Sequence, residues 1–254
     1  MEPRLTVLEK SVLAGQTLDL ARGALVASGA RNQAELERYM SRIEGLCQQL
    51  PSAVGAGSAL SKARSLFDWL WTTKAGRNES GGSFRLTEVI DAQVDPRAAK
   101  VGNCLGLTLL YNVFAQRLGL DVQAVYLEAV AGRLSHVIST LVSGRKRTDI
   151  DNIFPDGFDS KDYLDSPLRI EWGDAELIAD VYHSIGWELH EKDRLEGAVV
   201  NYSKAIWLNP KYVKAYLNRG IALSMQGRED EAKRDLEVGQ YRPRHESDVG
   251  RPMA

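Results

Sequence analysis

Val101-Gly102-Asn103-Cys104-Leu105-Gly106-Leu107-Thr108-Leu109-Leu110-Tyr111 is the stretch around which this chain is organised. Gly102 interrupts whatever precedes it. Asn103 is a good helix N-cap, because its side-chain oxygen accepts from the unpaired amides of a first turn. From Cys104 to Leu118 the sequence is apolar nearly all round, and Gly119 stands where a C′ residue would. A helix that is apolar on every side is a buried one, so this stretch predicts the central helix of a domain. Its first residue is a cysteine, set against the free N–H groups and positive dipole end that favour a thiolate. The alternative reading of Cys104 is a small buried residue, the commonest fate of free cysteine.

Working outward toward the N-terminus, residues 59–73 predict a helix capped by Ser58, with Leu60, Ala63, Leu66, Phe67, Leu70 and Trp71 inward. Residues 33–50 predict another. Leu36, Tyr39, Met40, Ile43, Leu46, Cys47 and Leu50 share one face, so Cys47 reads as core packing, and Pro51 ends the helix. Residues 5–28 read as one helix weakened by Gly15 and Gly23. The polar run from Lys74 to Gly82 reads as a surface loop or a lid. Thr87 is placed to cap a short helix over 88–93.

After Gly119 the period changes. Residues 122–127, 136–142 and 147–151 read as strands, 152–167 as a long loop and 168–172 as a last short strand. If Gly144-Arg145 is a two-residue turn, position i pairs with 289 minus i. His136 then falls opposite Ile153, and Ile138 opposite Asp151. Cross-strand partners and residues two apart share a face, so His136, Asp149 and Asp151 project from one side of the hairpin, Asp151 being the nearer diagonal neighbour. A nucleophilic thiol needs a base, and the base an orienting acid. Cys104, His136 and Asp151 supply that set, with Asp149 as the alternate acid. Asn103 and the Cys104 amide are the candidate oxyanion donors. The basic trio Arg145, Lys146 and Arg147 reads as a solvated hairpin tip.

From Asp174 the chain is helical and repeats itself. Tyr182, Gly186, Leu189, Ala198 and Tyr202 recur 34 residues later as Tyr216, Gly220, Leu223, Ala232 and Leu236. Ala205 and Pro210 do not recur in kind, since Gly239 and Arg244 stand there. A period of 34 with small residues at helix crossings resembles tetratricopeptide (TPR) helix pairs, and the resemblance covers about 176–243. His183 and His190 read as packing or surface residues of the first pair. The tail, 244–254, reads as flexible.

Gly102-Asn103-Cys104, Ser135-His136-Val137 and Asp149-Ile150-Asp151-Asn152 together resemble the transglutaminase-like branch of the papain-like cysteine enzymes. That family has a cysteine opening a helix, a histidine on a strand and an aspartate on the next. The run from Gly102 to Tyr111, with Arg117-Leu118-Gly119-Leu120 after it, looks more like a bacterial subgroup in which a helical segment precedes the core and TPR repeats follow. The chain departs from classical members at Ile138, where they carry an aromatic. The resemblance implies an α+β fold: a helical segment over 1–95, a transglutaminase-like core over 96–173 with a central helix on a small antiparallel sheet, and two TPR repeats over 174–243. It implies Cys104 as nucleophile, His136 as base and Asp151 as orienting acid, acting on amide or ester carbonyls as a peptidase, amidase or acyl transferase. The repeats would recruit a protein or peptide. The alternative is a catalytically silent interaction module.

Composition narrows the rest. A net charge of -2 gives no basic footprint for nucleic acid, and no apolar run is long enough to span a bilayer. Two cysteines and four histidines without clustering predict neither disulfide framework nor metal site, and the expectation is a cofactor-free cytoplasmic protein. Oligomeric state is left open.

Overall fold

A computed structural model describes residues 5–14, 19–128, 135–160, 166 and 168–240. Within these the chain is mixed helix and antiparallel sheet, and it divides into two compact units, 1–181 and 182–254. The tail with His245 lies outside the described residues.

Among the described residues the first unit opens with six helices. They are α1 (Val7–Leu13), α2 (Leu20–Ala27), α3 (Gln33–Gln48), α4 (Ala59–Thr73), α5 (Leu86–Val94) and α6 (Cys104–Arg117), with a 3-10 turn at Ser52–Gly55. The single helix expected over 5–28 is described as two. Asp19 caps the second by accepting from the Arg22 amide, and residues 15–18 are not described. Helix α3 buries Leu36, Tyr39, Met40, Ile43 and Leu46, and leaves Cys47 half-buried at the edge of that stripe. Ser58 caps α4 as expected, through the Ser61 amide, but Leu60 faces solvent. Thr87 is not a cap: α5 starts at Leu86 after Arg85, and the Thr87 hydroxyl donates to the Ser28 carbonyl.

Helix α6 is buried on every side from Leu105 to Ala115. Asn103 caps it, accepting from the Gly106 amide at 3.1 Å, and Gly119 closes it at φ 72°. Tyr111 donates to the Ala63 carbonyl of α4 at 3.0 Å, and Thr108 to the Val137 carbonyl of the sheet at 3.1 Å.

The sheet holds β1 (Val122–Leu127), β2 (His136–Ser143), β3 (Lys146–Ile150), β4 (Phe158–Ser160) and β5 (Arg169–Trp172), in the order β4-β3-β2-β1-β5, with every pair antiparallel. The β2–β3 turn is the two-residue one. Gly144 takes φ 61° and Ser143 pairs with Lys146, so Ser139 meets Ile150 and Thr140 meets Asp149, each pair summing to 289. Strand β4, unanticipated, falls inside the expected long loop.

A flat sheet would hold β3 and β5 about 14 Å apart, at about 4.8 Å per strand step. Yet Arg169 of β5 reaches Asp149 of β3, and Arg147 of β3 reaches Glu171 of β5 at 2.8 Å. The sheet therefore curls, with Val125, Leu127 and Ile138 packed as a small core on the inside of the bend. Arg147 is part of this clasp and not a purely solvated tip. On the other face Tyr126 stacks on Trp172, ring centroids 4.3 Å apart.

Four helices follow: α7 (Asp174–Glu191), α8 (Leu195–Leu208), α9 (Val213–Met225) and α10 (Glu229–Gln240). The small residues of the 34-residue period sit where the helices cross. A Cβ on Gly186 would meet the Tyr202 ring at 2.7 Å, and one on Gly220 would meet Leu236 at 2.9 Å, so the two copies make the same contact with different partners. Gly239, which breaks the period by replacing an alanine, accommodates Leu217; a Cβ there would lie 2.2 Å from it. His183 is buried, within 2.9 Å of the Asn218 amide nitrogen and 3.4 Å of the Tyr212 hydroxyl. No helix among the described residues is long and apolar enough to cross a membrane.

Candidate functional site

The start of α6 is held from outside by a segment whose composition suggested only a loop. Val101 and Gly102 donate to the Arg77 carbonyl at 2.8 and 3.2 Å, Glu79 donates to the Gly102 carbonyl at 3.0 Å, and Asn103 donates to the Ser83 carbonyl at 3.0 Å. The expected lid or free surface loop is therefore a short strand-like brace, with Asn78 bridged to Gly102. Lys74 reinforces it, its ammonium donating to the carbonyls of Asp95 and Ala98. Backbone crosses the helix start closely enough to demand glycine twice: a Cβ on Gly102 or Gly106 would lie 2.6 or 2.4 Å from the Ser83 carbonyl oxygen. The spacing of these two glycines, one helical turn apart, was the available signal for this close approach.

Cys104 is thus delivered as the first residue of a rigidly anchored helix, partly exposed. The capping pattern leaves the Cys104 and Leu105 amides without an intrahelical acceptor. Asn103 spends its carbonyl oxygen on the cap, which leaves its amide nitrogen as the group available to donate outward.

His136, the first residue of β2, is hydrogen-bonded to Asp151, and its interaction with Cys104 is one of the causes that raise its pKa. Its Nε2 lies 2.9 and 3.0 Å from the two Asp151 carboxylate oxygens. Burial pulls the imidazole pKa down, but the Asp151 and Cys104 hydrogen bonds and the charges of both outweigh it, and the value is pushed up to about 9. The protonated ring is therefore the favoured form at neutral pH.

Asp151 lies just past the paired part of β3 and is 1 % exposed. The ladder with β2 stops at Ser139–Ile150 because the Asp151 amide turns away to the Gly157 carbonyl, at 2.8 Å. His136 has no strand partner at Ile153; its carboxylate partner comes from this turn. A Cβ on Gly157 would sit 2.1 Å from the Asp151 carbonyl oxygen, so only glycine permits the turn. Asn152, which carried no weight in the sequence reading, is buried and donates to Ser139 at 2.9 Å and to Thr108 of α6 at 3.3 Å. It ties the helix bearing the thiol to the turn bearing the carboxylate. Asp149, the alternate acid, shares the face of His136 by register but is bound by Arg169 at 2.5 and 3.0 Å. Ile138, at the position of the classical aromatic, is fully buried in the curl of the sheet.

Cys47 is differently placed: burial, with Glu44 adding and Arg117 opposing, pushes its thiol up to about 11. No group of three or more His, Cys, Asp or Glu side chains among the described residues is arranged to hold a metal ion.

Comparison with known proteins places the C-terminal helices. Residues 186–227 match the family described as TPR repeat. An uncharacterized protein of Methanocaldococcus jannaschii is 40% identical over 55 residues, which is 22% of this chain and 64% of that protein, so the chain spans a little under two thirds of this relative. No solved structure matches the chain. The helices after the sheet therefore carry a TPR repeat, a unit that generally mediates protein–protein interaction.

Proposed function

We propose that this chain is a transglutaminase-like cysteine enzyme that acts on amide or ester carbonyls and uses its TPR helices to recruit a protein substrate. The observation that supports it is the His136–Asp151 hydrogen bond, with Cys104 at a helix start interacting with the same imidazole and the ring favouring its protonated form. In this reading His136, as imidazolium, already holds the proton that Cys104 has given up, and the thiolate sulfur attacks the carbonyl carbon. The Cys104 amide, with the Asn103 amide nitrogen as second donor, receives the developing oxyanion. His136 then protonates the departing amine or alcohol. The acyl-enzyme is resolved by water, giving hydrolysis, or by an amine, giving acyl transfer. Residues 1–95 brace this core, residues 96–173 form it, and 174–243 carry the repeats. Two free cysteines suit a reducing cytoplasm, which would keep Cys104 active.

The test is acylation by p-nitrophenyl acetate, read by mass spectrometry of the intact chain. The expected result is one acetyl group, on Cys104, absent in Cys104→Ala and slowed 10²- to 10⁴-fold in His136→Ala. Equal, slow labelling of Cys47 and Cys104 would refute the enzyme and leave the repeats as the functional part.

A further inference from the structure

Three buried polar side chains around the candidate site take no part in the proposed reaction: Thr108, Ser139 and Asn152, at 0%, 0% and 4% exposure. Thr108 lies one helical turn beyond Cys104, on the same face of α6. Its hydroxyl donates to the carbonyl of Val137, the residue after His136, at 3.1 Å. Its oxygen accepts from the carboxamide of Asn152, the residue after Asp151, at 3.3 Å. Because the Thr108 proton is committed to Val137, the group that faces its oxygen must be a donor. The carboxamide nitrogen fits there, and a carboxylate would not. That nitrogen also donates to Ser139 of β2 at 2.9 Å and to the Ile150 carbonyl at 3.4 Å.

We infer that Thr108 and Asn152 are positioning residues: one hydroxyl, through Val137 and Asn152, sets the His136 imidazole and the Asp151 carboxylate against the face of α6 that carries Cys104. The turn shows why such a tie is needed. Residue 151 is past the last β2–β3 pair, Ser139–Ile150. The bonds that shape 151–157 stay within it: the Asp151 amide to the Gly157 carbonyl, the Phe154 amide to the Asp151 carbonyl, the Gly157 amide to the Phe154 carbonyl, and the Ile153 amide to the Asp151 carboxylate. They fix the shape of the turn and not its place relative to the helix. Asn152 carries it to α6 and to β2. The margin is small. The carboxylate oxygens lie 2.9 and 3.0 Å from Nε2, and a slip of about 1 Å takes them beyond hydrogen-bond range. The service of this tie to catalysis rests on the proposed reaction; its hold on the His136–Asp151 pair does not.

The test follows His136 by NMR through pH, and Cys104 by iodoacetamide alkylation at pH 7, in variants of the full chain. Thr108→Val keeps the shape of the side chain and loses the hydroxyl. Asn152→Leu keeps the approximate size and loses the donor. In each, the His136 midpoint should fall by about one pH unit and alkylation should slow about tenfold, as the carboxylate loosens. The double variant should be no worse than the more affected single, because both cut one link. Thr108→Ser keeps the hydroxyl and removes a methyl, so it should melt at a lower temperature yet titrate and alkylate as wild type. Ser139→Ala, the mildest change, should lower the midpoint by about half as much. If the larger substitutions do not fold, an unshifted midpoint in Ser139→Ala overturns the inference. Variants that melt lower while midpoint and rate stay at wild type would show a merely structural role and overturn it too, as would Thr108→Ser behaving like Thr108→Val. A wild-type chain that p-nitrophenyl acetate does not acylate, with these titrations as expected, would instead remove the enzyme and leave the positioning intact.

Discussion

Asp151→Asn isolates the electrostatic part of the candidate site, because the amide keeps the shape and still accepts from Nε2–H while losing the charge. In the wild type His136 rises from about 6.5 to about 9 against the opposing pull of burial. At 1.36 kcal/mol per pH unit that rise is worth about 3 kcal/mol of preference for the protonated ring. The folded-state value lies above the unfolded one. The stabilisation is therefore complete below pH 6.5 and disappears as pH climbs through about 9. In the variant the interaction with Cys104 persists but the carboxylate charge is gone, and burial then weighs more heavily. The His136 pKa should drop by about 2, to near or below 7, with the loss of roughly 2 to 3 kcal/mol of stability at pH 6. The imidazole carbon-bound protons, followed by NMR from pH 5 to 10, read the first quantity. Urea unfolding at pH 6 and pH 9.5 reads the second, with the variant's deficit confined to the lower pH. A histidine that still titrates near 9 in Asp151→Asn, or a deficit equal at both pH values, would refute the charge argument and leave Asp151 a packing residue.

Three further outcomes follow from the same geometry. Iodoacetamide at pH 7 should modify Cys104 at least 10²-fold faster than Cys47, whose thiol is pushed up to about 11, as read by peptide mapping; equal rates would contradict it. Gly157→Ala should cost about 1–3 kcal/mol in urea unfolding and slow Cys104 alkylation, because the new methyl must displace the Asp151 carbonyl that it would meet at 2.1 Å. Arg77→Met should raise the melting temperature. The Arg77 guanidinium is 2% exposed beside Trp71, one of its terminal nitrogens has no hydrogen-bond partner, and burial lowers its pKa to about 9. An apolar chain of similar length removes that uncompensated charge, for a gain of about 1–4 kcal/mol. A loss on that substitution would show that the guanidinium has a required partner.

What the sequence made legible was what local physics decides. The Asn103 cap, the burial of α6 all round and the Gly119 stop are encoded within one turn of the residues that show them. The β2–β3 register followed from turn length alone, because a two-residue hairpin leaves no freedom in the pairing. The limits appear where a residue's partner is distant in sequence. Asp149 and Asp151 were indistinguishable by face. What separates them is Arg169 reaching across a curled sheet for the first and the Gly157 carbonyl drawing the second out of the ladder. Neither the curl nor the turn has a periodic signature. Strand β4 is three residues long with Asp159 at φ 61°, too short to show alternation.

The 74–82 segment shows the same limit more sharply. Its glycines, charges and amides read as solvent-facing by composition, yet its backbone supplies most of the bonds that hold the start of α6. Composition reports where side chains prefer to be, and this segment works through backbone carbonyls and an amide, which say nothing of side-chain character. The consequence bears on the thiol. Cys104 sits one residue beyond a helix cap bonded to Ser83 and two beyond a glycine bonded to Arg77, so its position relative to His136 is set by backbone contacts that side-chain substitutions in 78–81 would barely touch. The glycines are the exception. At Gly102 and Gly106 a single methyl collides with the Ser83 carbonyl, and the strain has no flexible side chain to absorb it. The line from thiol to carboxylate is thus most vulnerable at residues that carry no chemistry of their own.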